Sequence, residues 1–262
     1  MDDLRRQLDM TGEIAVFEAL HARAAEAAGV VLCPGVGFDV VPTDCLAVAL
    51  KAALPDATHL ALGFDSRSGL SPGTAKTLVE GLGQGGRIRR DGRIVPVPPA
   101  WKIRSIDFGR GEKTAMTIPW GDVATAFHST GIGHIETYIP APPTLLWWRW
   151  LWPWLQPLLG LSFVQTLLKQ RVATTVRGPD AEQRQRTPTW VWGEVINAVG
   201  ARKTGRVQTA NGYEVTVQGA LAVTEWLLAN APAGGYYTPA QLLGAGLVEI
   251  LPGSTSIRVT ET

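Results

Sequence analysis

The sequence predicts an α/β chain of the α+β kind, in which a helix–strand–helix opening leads into a mixed or antiparallel sheet with covering helices. Three observations predict it. Apolar residues recur at helical spacing on both sides of the short apolar run Val30 to Cys33. From Ala57 to Ile139 short alternating runs crowd together, and Asp91-Gly92 sits between two of them as a hairpin signal. Residues 143–170 then form an apolar, tryptophan-rich helical stretch broken by Pro153 and Pro157.

In order along the chain, Thr11-Gly12-Glu13 precedes a helix in which Ile14, Phe17, Leu20 and Ala24 share a face, and Gly29 ends it. Val30 to Cys33 is a short buried strand. After the glycine loop, Thr43 or Asp44 caps a helix through about Leu54, and Pro55 stops it. HLALGF reads as a strand, GTAKTLVEGL as a short helix, and RIRRDGRIVPV as a hairpin. A second hairpin turns between Gly109 and Glu112, and HIETYI (134–139) is another strand. Residues 177–188 read as a polar linker or loop. WVWGEVI pairs with RVQT across Gly200 to Gly205, and Asn211-Gly212 opens a helix through about Asn230. The tail holds one short helix from near Pro239 and a final extended piece.

A chain of 262 residues with 45% hydrophobic and 18% charged residues buries a sizeable core. A formal net charge of +1 gives no global pull toward nucleic acid, and no nucleic-acid partner is expected. Cys33 and Cys45, without Cys-x-x-Cys spacing, point to a reducing compartment and against a disulfide framework or zinc site. The charged start MDDLRRQLDM has no apolar signal segment, so a cytoplasmic location is expected. Residues 87–113 hold eight Lys or Arg against three acids; they read either as an anion or headgroup site or as solvated hairpin faces.

CPGVGFDVVPTDC (33–45) resembles a phosphate-binding turn but fails the dinucleotide fingerprint, because Val40 stands at the third glycine position. Gly81 to Gly86 matches G-x-G-x-x-G by letter, yet a helix precedes it and a hairpin strand follows, where the chemistry needs strand, turn, helix. It reads as a helix C-terminal turn.

GVGFDVVPTD, preceded by DMTGE and followed by GTAKTLVEGL, WGDVATAFHSTGI and WGEV, resembles the saccharopine dehydrogenase-like oxidoreductases. These include saccharopine reductase-like enzymes and trans-acting enoyl reductases. The resemblance runs from Asp9 through nearly the whole chain. It implies that residues 1–56 are the C-terminal remnant of a Rossmann-type cofactor domain. Residues 57–212 would be a substrate and dimerisation domain, and residues 213–262 a helix and tail returning to the first domain. In that family the Rossmann domain binds NAD(P), and hydride passes to or from an imine, carbonyl or enoyl group of a small-molecule substrate. Only ten residues precede Thr11, so the phosphate loop is expected outside this sequence. NAD(P) binding by this chain alone is therefore expected to be weak or absent. The alternative is a non-catalytic module of the same descent that dimerises or attaches to a membrane surface.

The resemblance also places the loop carrying Gly35, Gly37, Phe38 and Asp39 beside the nicotinamide end of a cofactor, with Asp39 as a catalytic candidate. Read from the residues, Asp39 equally forms an Asx-turn and Asp44 a helix N-cap. Glu13 is a substrate-binding candidate or a residue favoured by the helix dipole. Gly73 and Thr74 open a helix that can face a substrate carboxylate, with Lys76 beside them; Lys76 and Glu80 also read as a surface pair. His128 is a candidate acid, or a histidine satisfied within the core. No metal site is expected from the four histidines. Trp147, Trp148, Trp150, Trp152 and Trp154 with Arg149 read as an interfacial helical hairpin, a buried dimer or interdomain surface, or a membrane span.

Overall fold

The computed structural model describes residues 6–10, 12–24, 29–67, 72–81, 85–141, 154, 158–176, 178 and 180–261. The chain opens with β1 (Arg6–Asp9), α1 (Ile14–Ala24), β2 (Val31–Pro34) and α2 (Val41–Ala53). Then come β3 (Ala57–Ser66), α3 (Pro72–Gly81), β4 (Gly86–Arg90), β5 (Arg93–Val97), β6 (Ile103–Asp107), β7 (Glu112–Ile118), α4 (Asp122–Thr130) and β8 (His134–Pro140). The last part holds α5 (Ser162–Thr175), α6 (Ala181–Arg186), β9 (Thr189–Asn197), β10 (Arg202–Thr209) and α7 (Gly212–Ala229). It ends with β11 (Gly235–Tyr236), α8 (Pro239–Leu243), α9 (Leu247–Ile250) and β12 (Arg258–Glu261).

Two sheets organise these elements. β1, β2 and β11 form a parallel sheet in the order β1-β2-β11. The larger sheet runs β12-β10-β9-β3-β8-β4-β5, and the β6–β7 hairpin joins it where β7 pairs with β8. Within it β3 and β8 are parallel, and the other pairings are antiparallel. The mixed α/β class is thus the observed one. Asp91 (φ 49°) and Gly92 (φ 74°) take the two left-handed positions of the β4–β5 turn, as a two-residue hairpin requires.

α2 binds the two halves together. On the larger sheet Gly193 of β9 pairs with Gly205 of β10, leaving a shallow seat. A Cβ at Gly193 would stand 2.7 Å from Leu50, and one at Gly205 2.7 Å from Leu46. Both leucines are fully buried there, each contributing roughly 1.5–3 kcal/mol. The same core takes in Val31 and Cys33 from the parallel sheet and Leu60, Leu62 and Val195 from the larger one.

Several expectations are corrected. Asp44 does not cap α2: the cap position is Val40 and has no side-chain bond. Gly205 lies inside β10, because the strand needs a residue without a side chain beneath α2. The stretch 177–188 contains α6, closed by Arg184 N–H donating to Asp180 O (3.0 Å) and by the Glu182–Arg186 pair at 2.7 Å. The tail carries two short helices, and it divides between the sheets: β11 pairs with β2, and β12 with β10. The basic run is not a uniformly solvated face. Arg89 is 4% exposed; it donates to Val123 O (2.8 Å), Gly92 O (2.6 Å) and Glu18 (3.1 Å), and lies 4.3 Å over the Phe127 ring.

Trp147, Trp148, Trp150 and Trp152 lie outside the described residues, as do Arg149, Thr11 and Leu82 to Gln84. Trp154 is described and exposed. Among the described residues no helix is long and apolar enough to cross a membrane. Cys33 and Cys45 are free and buried.

Candidate functional site

Three glycine-bearing loops converge at the carboxyl end of the parallel sheet, the edge at which open α/β sheets hold ligands. The first follows β1, the second (35–40) follows β2, and the third (119–121) precedes α4. Gly35 and Val36 N–H groups donate to Asp9 O at 2.7 and 3.1 Å, which fixes the second loop on the end of the first strand. A Cβ at Gly12 would stand 2.6 Å from Asp39 Oδ2, so the Asp39 carboxylate lies directly on the Gly12 backbone. A Cβ at Gly121 would be 3.0 Å from Gly12 O, and Trp120 Nε1 donates to Asp39 O at 2.9 Å. Only glycines at 12 and 121 allow this approach.

Phe38 and Asp39 are half-buried at the convergence. Phe38 N–H donates to Thr216 Oγ1 on α7 (3.1 Å), and its ring meets Phe64 edge-on at 5.4 Å; Phe64 in turn packs 5.0 Å from Trp120. Gly35 and Gly37 serve this packing. Gly35 takes φ 76° beneath Val40 and Phe17, while Gly37 lies against Thr216. The start of α2 is likewise covered, with residues 40–47 buried. Loop and helix start therefore do not fit a pyrophosphate, which needs exposed N–H groups there. Phe38, Asp39 and Trp120 instead make a half-buried edge of two aromatic rings and a carboxylate.

Three carboxyl groups gather under these loops. Burial raises Asp39 to about 6. Asp44 is also raised to about 6 by burial, although Ser129 Oγ and Ala240 N–H (2.9 Å) donate to it. Asp122 is raised well above the ordinary range, first by burial and further by Asp44 and Asp39, against the bond it accepts from Thr43 Oγ1 at 2.6 Å. Its Oδ2 is buried with no hydrogen-bond partner in the structure. Carboxyls of this kind can hold a proton near neutral pH and give it up to a developing base.

The other predicted residues stand apart. His128 is six positions along α4 from Asp122, roughly 9 Å of helix. It stacks on His21 at 4.0 Å and meets Tyr236 edge-on at 5.2 Å. Burial, with His21 and Arg89 beside it, lowers His128 to about 4, so it is neutral at pH 7. Glu13 is exposed, and its carbonyl starts α1 by accepting from Val16 and Phe17. Gly73 and Lys76 are exposed on α3, which also carries Thr74, and none of the described bonds links Gly73 or Lys76 to Asp39. Among the described residues no group of His, Cys, Asp or Glu could hold a metal ion. Trp120 and Asp122 were not singled out from sequence, although they open the WGDVATAF motif.

The fold is a mixed α/β fold similar to that of saccharopine dehydrogenase. A solved structure of saccharopine dehydrogenase (L-Glu forming) from Saccharomyces cerevisiae, in apo histidine-tagged form, matches with TM-score 0.54 and 9% identity. The match covers 97% of this chain and 79% of that one. At this identity the likeness shows the fold. No protein-family model and no curated protein matches the chain.

Proposed function

We propose that the chain is the substrate-binding and dimer-forming part of a saccharopine dehydrogenase-like oxidoreductase. The observation that carries this reading is the convergence of three motif loops on Asp39, in a fold similar to saccharopine dehydrogenase. A nicotinamide cofactor, when bound, supplies the hydride to or from an imine, carbonyl or enoyl group. This chain orients the reacting group: Phe38 and Trp120 form an apolar wall, and Asp39 holds a proton for the nitrogen, oxygen or carbon that receives it. His128, neutral and stacked, positions α4. Gly35 and Gly37 shape the loop, and Glu13, Gly73, Thr74 and Lys76 are candidates for contacts with outlying parts of the substrate.

The test has two arms. NADPH and NADH titrated calorimetrically against the chain are expected to bind in the millimolar range or weaker, because the loop offers no phosphate cradle. Micromolar binding would overturn that assignment. NADPH oxidation is then screened with 2-oxo acids plus amines, with ketones and with enoyl thioesters. Where turnover is found, Asp39→Asn is expected to lower it about 100-fold, the lower end of acid catalysis, with no loss of melting temperature. Unchanged kinetics would remove Asp39 from the site.

A second reading, a dimerising or membrane-associating module, is favoured by one observation. Trp154, Leu158, Leu161, Phe163 and Leu167 are all exposed along one short stretch. Failure of every substrate class, together with pelleting on vesicles of mixed zwitterionic and anionic lipid, transfers the assignment to this reading.

A further inference from the structure

The face of the larger sheet turned away from α2 carries a polar trough. Ala61 and Gly63 of β3 lie along its floor, and the strand register sets larger residues on both sides. Glu136 of β8 and Glu194 of β9 flank Ala61, Tyr138 and Trp192 flank Gly63, and His134 and Ile196 flank His59. The β6–β7 hairpin folds over one end, where Phe108 comes 3.2 Å from the Cβ position of Gly63 and joins Ile106, Tyr138 and Trp192 in a closed apolar cluster. Over Ala61 the space stays open, a cavity of about 410 Å³ bounded by His59, Lys102, Arg104, His134, Glu136 and Glu194.

Most of its charges are fixed in place. Glu194 is 5% exposed and accepts from Arg104 (2.9 Å) and Arg202 (3.1 Å). Arg104 also lies over the rings of Trp192 and Tyr138, at 5.0 and 5.7 Å, which holds its guanidinium at the cavity wall. Glu136 accepts from Tyr138 Oη at 2.6 Å and from Lys102 Nζ at 2.5 Å. Lys102 is 56% exposed, so its flexible stem can turn from Glu136 to another acceptor. His59 and His134 stack at 4.3 Å and 10° at the mouth. Two permanent cations of the wall, Lys102 and Arg104, thus face two carboxylates, with two imidazoles beside them, while Arg202 pairs with Glu194 from outside the lining.

Burying carboxylates and guanidiniums costs several kcal/mol, and packing alone would fill the space above Ala61 with an apolar side chain. We propose that the trough binds a small organic anion carrying one or two carboxylate or phosphate groups. Arg202 shares the Glu194 charge from outside the wall, which leaves Arg104 and Lys102 to supply the attraction: Arg104 offers a preset fork for a planar or tetrahedral oxyanion, and Lys102 and the imidazoles close over it. The volume lies in the range of small-molecule sites, about 300–1,000 Å³.

The experiment is calorimetric titration of the full chain with inorganic phosphate and, separately, with succinate, paired with NMR of the histidine imidazoles. Saturable one-site binding is expected, with shifts at His59 and His134 and none at His21 or His128. Saturation by phosphate alone identifies a phosphate ester as the ligand, and saturation by succinate alone a carboxylate. Ala61→Leu is expected to fill the trough and abolish binding, with a melting temperature equal to or above that of the parent chain. Lys102→Met is expected to weaken binding at least tenfold. No saturation with either anion, or full affinity in Ala61→Leu, overturns the proposal. Should Ala61→Leu fail to fold, unchanged affinity in Lys102→Met overturns it instead. Imidazole shifts that follow protein concentration and ignore the added anion assign the face to a second copy of the chain and overturn it as well.

Discussion

Asp44 is fully buried, and its carboxylate ties α4 to the tail by accepting from Ser129 on one side and Ala240 on the other. Its pKa of about 6, and that of Asp39, lie above the unfolded value of 3.8 because burial disfavours the charge. Between those values the folded state holds protons that the unfolded chain has released. Each group therefore lowers stability as pH rises from about 4 to about 6, and the loss persists above that window. For Asp44 the shift corresponds to something on the order of 3 kcal/mol. Asp122 acts in the same direction. His128 opposes them: it is depressed to about 4, so stability falls as pH drops from about 6.5 toward 4. His59, lowered chiefly by burial, acts in the same direction as His128, and three carboxyls, Asp122 among them raised well above the ordinary range, outweigh the two imidazoles. The melting temperature is expected to be higher near pH 5 than near pH 7.5, and Asp44→Asn should flatten much of that difference; a parent chain more stable at the higher pH would refute the ranking. This role of Asp44 was not legible in the sequence, since a cap and a buried acceptor look alike there. Its partners lie 85 and 196 residues away. Asp39 was a candidate only through its place in a loop motif, and the convergence of that loop with Gly12 and Trp120 is a product of the fold.

The strands and helices with strong local signals formed where the sequence placed them. Asp91-Gly92 has the turn geometry that two left-handed residues impose, and Asn211 caps α7 by accepting from Tyr213 N–H at 3.0 Å. Elements set by tertiary contact were hidden. β11 has two residues and exists because Gly235 and Tyr236 pair with Val31 and Leu32. Gly205 looked like a turn residue because a glycine in a strand gives no local sign of the helix above it. The paired glycines also yield a test. Gly193→Ala and Gly205→Ala each thrust a methyl group into Leu50 or Leu46 at 2.7 Å, in a core that cannot relax without lifting α2. Each is expected to destabilise by about 1–3 kcal/mol in urea unfolding, beyond what exchanging glycine for alanine in an open strand would do. A variant as stable as the parent would show that α2 moves freely over the sheet. Adding Leu50→Ala to Gly193→Ala should relieve part of that penalty, because the clash and the leucine share one space.

The class of fold followed from the alternation of helix and strand, but the way the halves join did not. Residues 1–56 and 57–212 looked separable because the texture of the sequence changes near Ala57. In three dimensions one apolar core passes from Val31 and Cys33 under the parallel sheet, through Leu46 and Leu50 of α2, to Leu60, Leu62 and Val195 of the larger sheet. The tail then adds one strand to each sheet, so two crossings by the same segment tie them. A three-stranded sheet of such short strands is marginal by itself and takes its stability from this shared core. The molecule is therefore expected to unfold as one unit. Circular dichroism, tryptophan fluorescence and calorimetry should give coincident transitions, with calorimetric and van't Hoff enthalpies equal. Native-state hydrogen exchange should show Val31, Leu32 and Cys33 opening at the free energy of the strands β3 and β9, since their amides lie in the same cooperative core. A separate early transition, with β2 exchanging well before β3, would instead make the parallel sheet an independent unit, held to the rest by the α2 connection alone.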